Sequence, residues 1–311
     1  MKVIYGIGNV KRILKNTVLA IGVFDGLHLG HQKLIKTAVA RANILNGKGY
    51  VMTFFPHPIR ILRPEIYMPY IVSLPYRIKL IAGLGVTGCI VSRFTKRFAQ
   101  LSPQRFIENY LMRYIRPVEV FVGDDFRFGQ NRTGSVELFE QIGKKFGFKV
   151  HVVSQIKSGV GKISSTRIRE LIASGRLKHA GALLGRNVSI MGIVVRGENR
   201  GKELGFPTAN ILPDGEILPP LGVYAVNVII DDRSYYGMAN VGCRPSFNMS
   251  DCPVNVEVHV FHFHREIYGK EIIIEFIRRI RDEKIFNTKE KLIVQLQKDE
   301  VNAKEILLAK V

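Results

Sequence analysis

Short unbroken apolar runs give way to helix-period stretches along the first 180 positions. Residues 18–24 form such a run, residues 32–45 carry the 3.6-residue period, and residues 50–55 read as a strand again before the Pro56-His57-Pro58 break. Further strand-like runs fall at 88–92, 119–122 and 149–153, with helix-like stretches at 103–113 and 135–146 between them. A last helical period at 165–174 stops at Gly175. Strands alternating with helices predict a parallel sheet covered by helices. Beyond Gly185 the texture changes to short β-rich runs at 189–195, 223–230, 235–240, 255–263 and 271–276, bounded by Gly, Pro, Asn and Asp. Regularly spaced short strands predict a barrel or a sandwich, here closed by a helix over 288–308. The expected organisation is two domains, 1–184 and 185–311.

At 311 residues the length also suggests two domains. The composition, 46% hydrophobic and 23% charged, excludes disorder as the main state. No apolar run approaches the ~18–20 residues of a membrane span, so no membrane partner is expected. Lys11, Arg12 and Lys15 interrupt any secretory signal core. Cys89, Cys243 and Cys252 show no CxxC spacing, so no disulfide framework is expected and a reducing cytoplasm fits. The net charge of +20 suits nucleic acid, an acidic membrane surface or phosphorylated small molecules, and equally a Lys-rich proteome. Zinc-finger spacing, arginine-rich tails and RNP aromatics are all missing from the sequence, which argues against nucleic acid as the partner. There are no heptads or interface patches that would set an oligomeric state.

The sharpest local chemistry is Gly22-Val23-Phe24-Asp25-Gly26-Leu27-His28-Leu29-Gly30-His31, between a strand and a helix. Glycines there let backbone approach a ligand, and a helix N-terminus offers free N–H groups to an anion. His28 and His31, three residues apart, suit one phosphate; as metal ligands they lack a completing Cys or carboxylate. A plain strand–helix turn with incidental histidines is the alternative. Asp124-Asp125-Phe126-Arg127 follows a strand, and Ser164-Ser165-Thr166-Arg167-Ile168-Arg169 sets three hydroxyls and two arginines at a helix start. That second set suits a phosphate clamp, or only an N-cap with a solvated face.

In the second half, 192–210 is a glycine-rich basic segment without the GxxxxGK[ST] spacing of a Walker A loop. Flexible backbone together with Arg200 and Lys202 could still wrap a polyphosphate. Thr208 and Asn210 share a face of an extended segment and offer oxygens to a hard Mg²⁺ ion, unless Pro207 and Asn210 merely shape a turn. His262 and His264 share a strand face but lack a third metal ligand, so His259, His262 and His264 read as a surface ladder.

His28-Leu29-Gly30-His31 resembles the HxGH motif of the nucleotidylyltransferase superfamily. Together with 53–58 (Thr-Phe-Phe-Pro-His-Pro), 98–103 (Phe-Ala-Gln-Leu-Ser-Pro), 122–129 and 163–169, it resembles the FMN adenylyltransferase module of bacterial bifunctional FAD synthetases. The segment ending in Pro207-Thr208-Ala209-Asn210 resembles the riboflavin kinase signature. Gly222-Val223-Tyr224-Ala225, 239–247, Val256-Glu257-Val258-His259 and Tyr268-Gly269-Lys270 follow in that family's order. The likeness runs from about Thr17 to Leu307; His262–Arg265 departs from the acidic turn usual in the family.

The resemblance implies a Rossmann-like α/β nucleotidylyltransferase domain, then an all-β six-stranded barrel with a C-terminal helix. It implies that riboflavin and ATP give FMN at the barrel, and that FMN and ATP give FAD and pyrophosphate at the HxGH site, with Mg²⁺ in both steps. His28 and His31 would act on the phosphates, with Gly22, Phe24, Asp25 and Gly30 around the nucleotide. Ser164, Ser165, Thr166, Arg167 and Arg169 would clamp the triphosphate, and Asp125, Phe126 and Arg127 would line the FMN/adenylyl site. Gly201 and Lys202 would hold ATP at the kinase, Thr208 and Asn210 the metal. Glu257 would be the base, a residue that nothing but the resemblance singles out. His57 is expected to shape its loop. The alternatives are a nucleotidylyltransferase for another substrate and a basic nucleic-acid-binding protein on the same scaffold.

Overall fold

The structure, a computed structural model, describes residues 1–10, 16–158, 161–197, 200–243 and 254–309. The chain forms two compact units, one of Met1–Met68 and Leu74–Ile163, the other of Pro69–Ser73 and Ser164–Val311.

The first unit is a six-stranded, all-parallel sheet. Its strands are β1 (Lys2–Tyr5), β2 (Thr17–Ile21), β3 (Lys48–Phe55), β4 (Gly88–Arg93), β5 (Glu119–Gly123) and β6 (Lys149–Val153), in the order β1-β4-β3-β2-β5-β6. Helices α1 (Leu29–Ile44), α2 (Pro58–Leu62), α3 (Leu74–Ala82), α4 (Lys96–Ala99), α5 (Pro103–Phe106) and α6 (Val136–Phe146) connect them. The α5 helix runs on as a π-helix over Ile107–Ile115. β2 is buried throughout, and apolar after Thr17, because both of its faces are covered. Leu19 and Ile21 pack with Ile107, Leu111 and Phe139, and Val18 and Ala20 pack with Leu34, Ile35 and Ile81. The short antiparallel pair β7 (Lys157–Ser158) and β8 (Gly161–Lys162) follows β6.

The second unit opens with α7 (Ser165–Ala173) and α8 (Leu177–Leu184), which pack on each other, and α8 packs on the barrel strands that follow. The helices that the sequence places with the first half therefore group with the second. The barrel is built from β9 (Val188–Val195), β10 (Ala209–Ile211), β11 (Gly222–Ile230), β12 (Arg233–Cys243), β13 (Val254–Val260) and β14 (Glu271–Arg281). Every pairing is antiparallel, and the order β10-β13-β12-β11-β14-β9 closes on itself. A single turn, α9 (Arg200–Glu203), precedes β10, and α10 (Lys289–Leu308) ends the chain. The sequence leaves barrel and sandwich open; closure of β9 on β10 decides for the barrel.

Ala303, Ile306 and Leu307 of α10 pack against Phe206, Val223, Met238 and Phe261. Asp299 of the same helix is fully buried and takes both Nε and Nη2 of Arg281. The segment Pro69–Ser73 is held by backbone bonds, Tyr70 N to Gly215 O at 2.9 Å and Ile217 N to Tyr70 O at 2.7 Å. Ser73 N donates to Glu216 Oε1 at 3.2 Å. Cys89 is free and buried, and Cys243 is disulfide-bonded. Spacing alone does not predict that bond, because Cα separation in the fold decides pairing.

Candidate active sites

In the first unit, β2 pairs with β3 on one side and β5 on the other, the point where strand order reverses. Open α/β sheets bind ligands beyond the carboxyl ends of their strands at such a point. The Gly22–His31 segment leaves β2 there, and Asp125, Phe126 and Arg127 leave the neighbouring β5. The turn is tightly determined. A Cβ on Gly22 would lie 2.8 Å from the Phe24 ring, and Phe24 itself is left-handed (φ 54°, ψ 28°) and buried. Strain of this kind persists only where surrounding contacts impose it.

Those contacts come from Arg77 on α3. Its guanidinium is completely buried, donating to Val23 O at 3.1 Å and to Asp25 Oδ1 at 3.3 Å. Thr53 Oγ1 adds a second bond to Val23 O at 2.7 Å. Asp25, only 1% exposed, is thus tied into the loop's interior. The sequence gives no hint of Arg77; a lone arginine in an apolar helix reads as a surface residue.

The helix begins three residues earlier than its apolar period predicts, because an imidazole caps it. His28 Nδ1 accepts from His31 N at 3.3 Å. With Nδ1 an acceptor, the proton of neutral His28 sits on Nε2. The His28 and His31 rings stack, centroids 3.5 Å apart and 19° from coplanar, and a Cβ on Gly30 would meet the His28 ring at 3.2 Å. Burial first, and then the adjoining His28 ring and the Arg77 guanidinium, hold His31 well below the usual histidine range. Its Nδ1 is enclosed with no hydrogen-bond partner among the described residues. Two stacked imidazoles at a helix N-terminus, one with an unanswered ring nitrogen, make a site for an anion.

Asp125 is exposed, and a Cβ on Gly123 would come 3.0 Å from its Oδ1. Phe126 stacks on Phe128 and touches Phe139, so its ring is largely structural. Arg127 Nη1 donates back to Phe126 O at 2.9 Å. His57 Nδ1 accepts from Ile59 N and caps α2, a loop-shaping role as expected.

In the second unit Ser164 caps α7, its Oγ accepting from Arg167 N at 3.2 Å. Ser165 and Thr166 occupy the first turn. Arg167 is partly exposed, 3.6 Å from Glu170, whereas Arg169 Nε donates to Pro69 O at 2.8 Å.

On the barrel, Asn210 stands opposite Glu257 in the β10–β13 register. Asn255, two residues before Glu257 on the same face, is buried and donates from Nδ2 to both Asn210 Oδ1 and Glu257 Oε1, each at 3.0 Å. The backbone closes tightly around this cluster. A Cβ on Gly197 would lie 2.2 Å from Asn210 Nδ2, and one on Gly201 would lie 2.4 Å from Phe206 O and 3.3 Å from Thr208 Oγ1. Lys202 falls in α9, the turn before this segment. His259 Nδ1 lies 2.8 Å from Pro207 O, tying β13 to the same segment.

A family profile described as FAD synthetase matches residues 10–167, and one described as riboflavin kinase matches 184–307. The bifunctional riboflavin kinase/FMN adenylyltransferase of Listeria monocytogenes is 39% identical over 92% of this chain and 90% of its own. That of Escherichia coli K12 is 34% identical over 98% and 97%. The chain belongs to this family. A solved structure described as a macrolide-efflux protein from Streptococcus pneumoniae is 31% identical, with a TM-score of 0.84, covering 98% of this chain and 99% of that one. Among the described residues, no helix is long and apolar enough to cross a membrane.

Each of the two matched segments of this chain carries one of these polar clusters. For Mg²⁺, the donors at the barrel are a hydroxyl (Thr208) and an amide oxygen (Asn210), hard oxygens of the right kind. Among the described residues, His, Cys, Asp and Glu nowhere gather in threes able to hold a metal. An ion held by two neutral protein oxygens takes its remaining ligands from nucleotide phosphates and water, which is how Mg²⁺ is commonly bound.

Proposed function

We infer that this chain phosphorylates riboflavin to FMN at the barrel and adenylylates FMN to FAD at the β2–β5 crevice, with ATP as co-substrate in both steps. The observation that carries the reading is the register of β10 against β13, which sets Asn210 opposite Glu257. In the kinase step Glu257 accepts the proton of the ribityl 5′-hydroxyl as that oxygen attacks the γ-phosphorus and ADP departs. Thr208 and Asn210 would hold Mg²⁺, which when bound neutralises polyphosphate charge. Gly201 and Lys202 belong to the segment that wraps the nucleotide.

In the adenylyl step an FMN phosphate oxygen attacks the α-phosphorus of ATP, and pyrophosphate leaves. Little covalent work falls to the protein, so alignment and charge stabilisation dominate. His28, with its Nε2 proton, and His31 face the phosphates from the helix start. Gly22, Phe24 and Gly30 hold the turn open, and Asp25 fixes its shape through Arg77. Arg167, Arg169 and the hydroxyls of Ser164, Ser165 and Thr166 are assigned to the triphosphate, and Asp125, Phe126 and Arg127 to the flavin–adenylyl side. We assign adenylylation to 1–184 and phosphorylation to 185–311, and place the protein in the cytoplasm, where ATP is available.

Chromatography of riboflavin incubated with the protein, ATP and Mg²⁺ tests the reading. FMN is expected first, then FAD. Glu257→Ala should abolish FMN formation while supplied FMN still becomes FAD, and His28→Ala should stop the chain at FMN. Absence of any flavin product, or turnover unaffected by both substitutions, refutes the assignment.

A further inference from the structure

We propose that Asn255 is a positioning residue of the kinase step, one amide group that fixes the Glu257 carboxylate and the Asn210 amide oxygen together. The proposal rests on the kinase reading above. Asn255 is 4% exposed, and its Nδ2 donates to two acceptors on two strands, Asn210 Oδ1 on β10 and Glu257 Oε1 on β13. The reversed amide would place its oxygen 3.0 Å from two other oxygens, so the polarity of this bridge is set by its neighbours.

Cost argues that the bridge is functional. Asn255 Oδ1 is buried with no hydrogen-bond partner among the described residues. A buried amide that satisfies one end and leaves the other bare is poor for stability, since an unanswered buried acceptor loses its water and gains no partner. An apolar residue at the same strand position would avoid that penalty. What the amide supplies is geometry. A carboxylate on a strand has two side-chain torsions to wander through, and a base misplaced by ~1 Å loses on the order of 10²-fold in rate. The donation to Asn210 Oδ1 also fixes the rotation of that amide, one of the two side chains that would hold Mg²⁺. Asn255 itself touches neither substrate nor metal in this scheme; it acts through Glu257 and Asn210.

Asn255→Asp keeps the shape and removes the donor, and Asn255→Ala removes both amide atoms, including the bare oxygen. Each is expected to lower kcat for riboflavin phosphorylation ~10- to 100-fold, with KM for riboflavin within about twofold and FMN-to-FAD conversion unchanged. Asn255→Ala removes the bare oxygen but also the donor shared by Asn210 Oδ1 and Glu257 Oε1, so melting is measured for both variants, and an unchanged KM for riboflavin shows that the barrel is folded. In a Glu257→Gln background, Asn255→Ala should lower the residual kcat by less than about threefold, since a residue acting through Glu257 has little left to position. Titration of Mg–ADP, which reads the Asn210 side without turnover, should show weaker binding for Asn255→Ala. A kcat unchanged in both variants, a full-size loss persisting without Glu257, or an equal loss of FMN adenylylation overturns the proposal. A wild-type chain that forms no FMN overturns the kinase reading itself.

Discussion

Replacing Arg77 by Met tests whether the adenylyl loop is held by a buried charge pair. Surface ion pairs contribute ~0–1 kcal/mol, whereas removing one partner of a buried pair costs about 3–5 kcal/mol because the other charge is stranded. The side chains of Arg77 and Asp25 are 0% and 1% exposed, so the second regime applies. The substitution also removes the bond from Nη1 to Val23 O, but Thr53 Oγ1 still satisfies that carbonyl at 2.7 Å, limiting this part to about 1 kcal/mol or less. A loss of ~3–5 kcal/mol corresponds to a drop of roughly 6–20 °C in the melting temperature of a unit this size. The assay pairs thermal or urea melting with flavin chromatography: FAD formation should fail well before FMN formation, whose residues lie on the barrel. The double variant Asp25→Asn/Arg77→Met removes both charges and should recover about 2 kcal/mol or more of stability. A loss under about 1 kcal/mol for Arg77→Met, or no recovery in the double variant, would refute the reasoning.

The sheet strands are legible because their middles are covered on both faces, so that 18–21, 89–91 and 120–122 read as short apolar runs. The barrel strands were legible from their spacing, but β10 was not, since three residues carry too little pattern; it nonetheless bears Asn210. The start of α1 was hidden because histidine is not an ordinary cap, and the ring that caps it also belongs to the HxGH segment. Arg77 and Asn255 escaped notice for a shared reason. Their roles come from partners 52 and 45 residues away, Asp25 and Asn210, and no local pattern encodes such pairings. A polar residue alternating with Glu257 on one strand face was the available signal for Asn255. The grouping of Pro69–Ser73 with the second unit rests likewise on bonds to Gly215, Glu216 and Ile217, far along the chain.

Three further outcomes follow from single buried groups. Burial pushes the Cys89 thiol up to about 12, so iodoacetamide at pH 8 should leave Cys89 unmodified in the native protein and label it in urea; peptide mass mapping that finds native labelling refutes this. His31 is held below its ordinary value of 6.5, so its neutral form is favoured by folding; stability should fall as pH drops below about 6.5, and His31→Gln should flatten that fall in pH-dependent melts. Glu216 is shifted the opposite way for an acid, raised above 4.5 chiefly by burial, with Oε1 taking Ser73 N and Oε2 bare among the described residues. A raised carboxyl binds its proton more tightly folded than unfolded, so its contribution is complete below about pH 4.5 and is lost as pH rises through the folded value. Glu216→Gln keeps an oxygen for Ser73 N and carries no charge to bury, so it should melt higher than wild type at pH 8, the difference shrinking toward pH 4.5; a variant that melts lower at pH 8 shows that the ionised carboxylate is the form the fold requires.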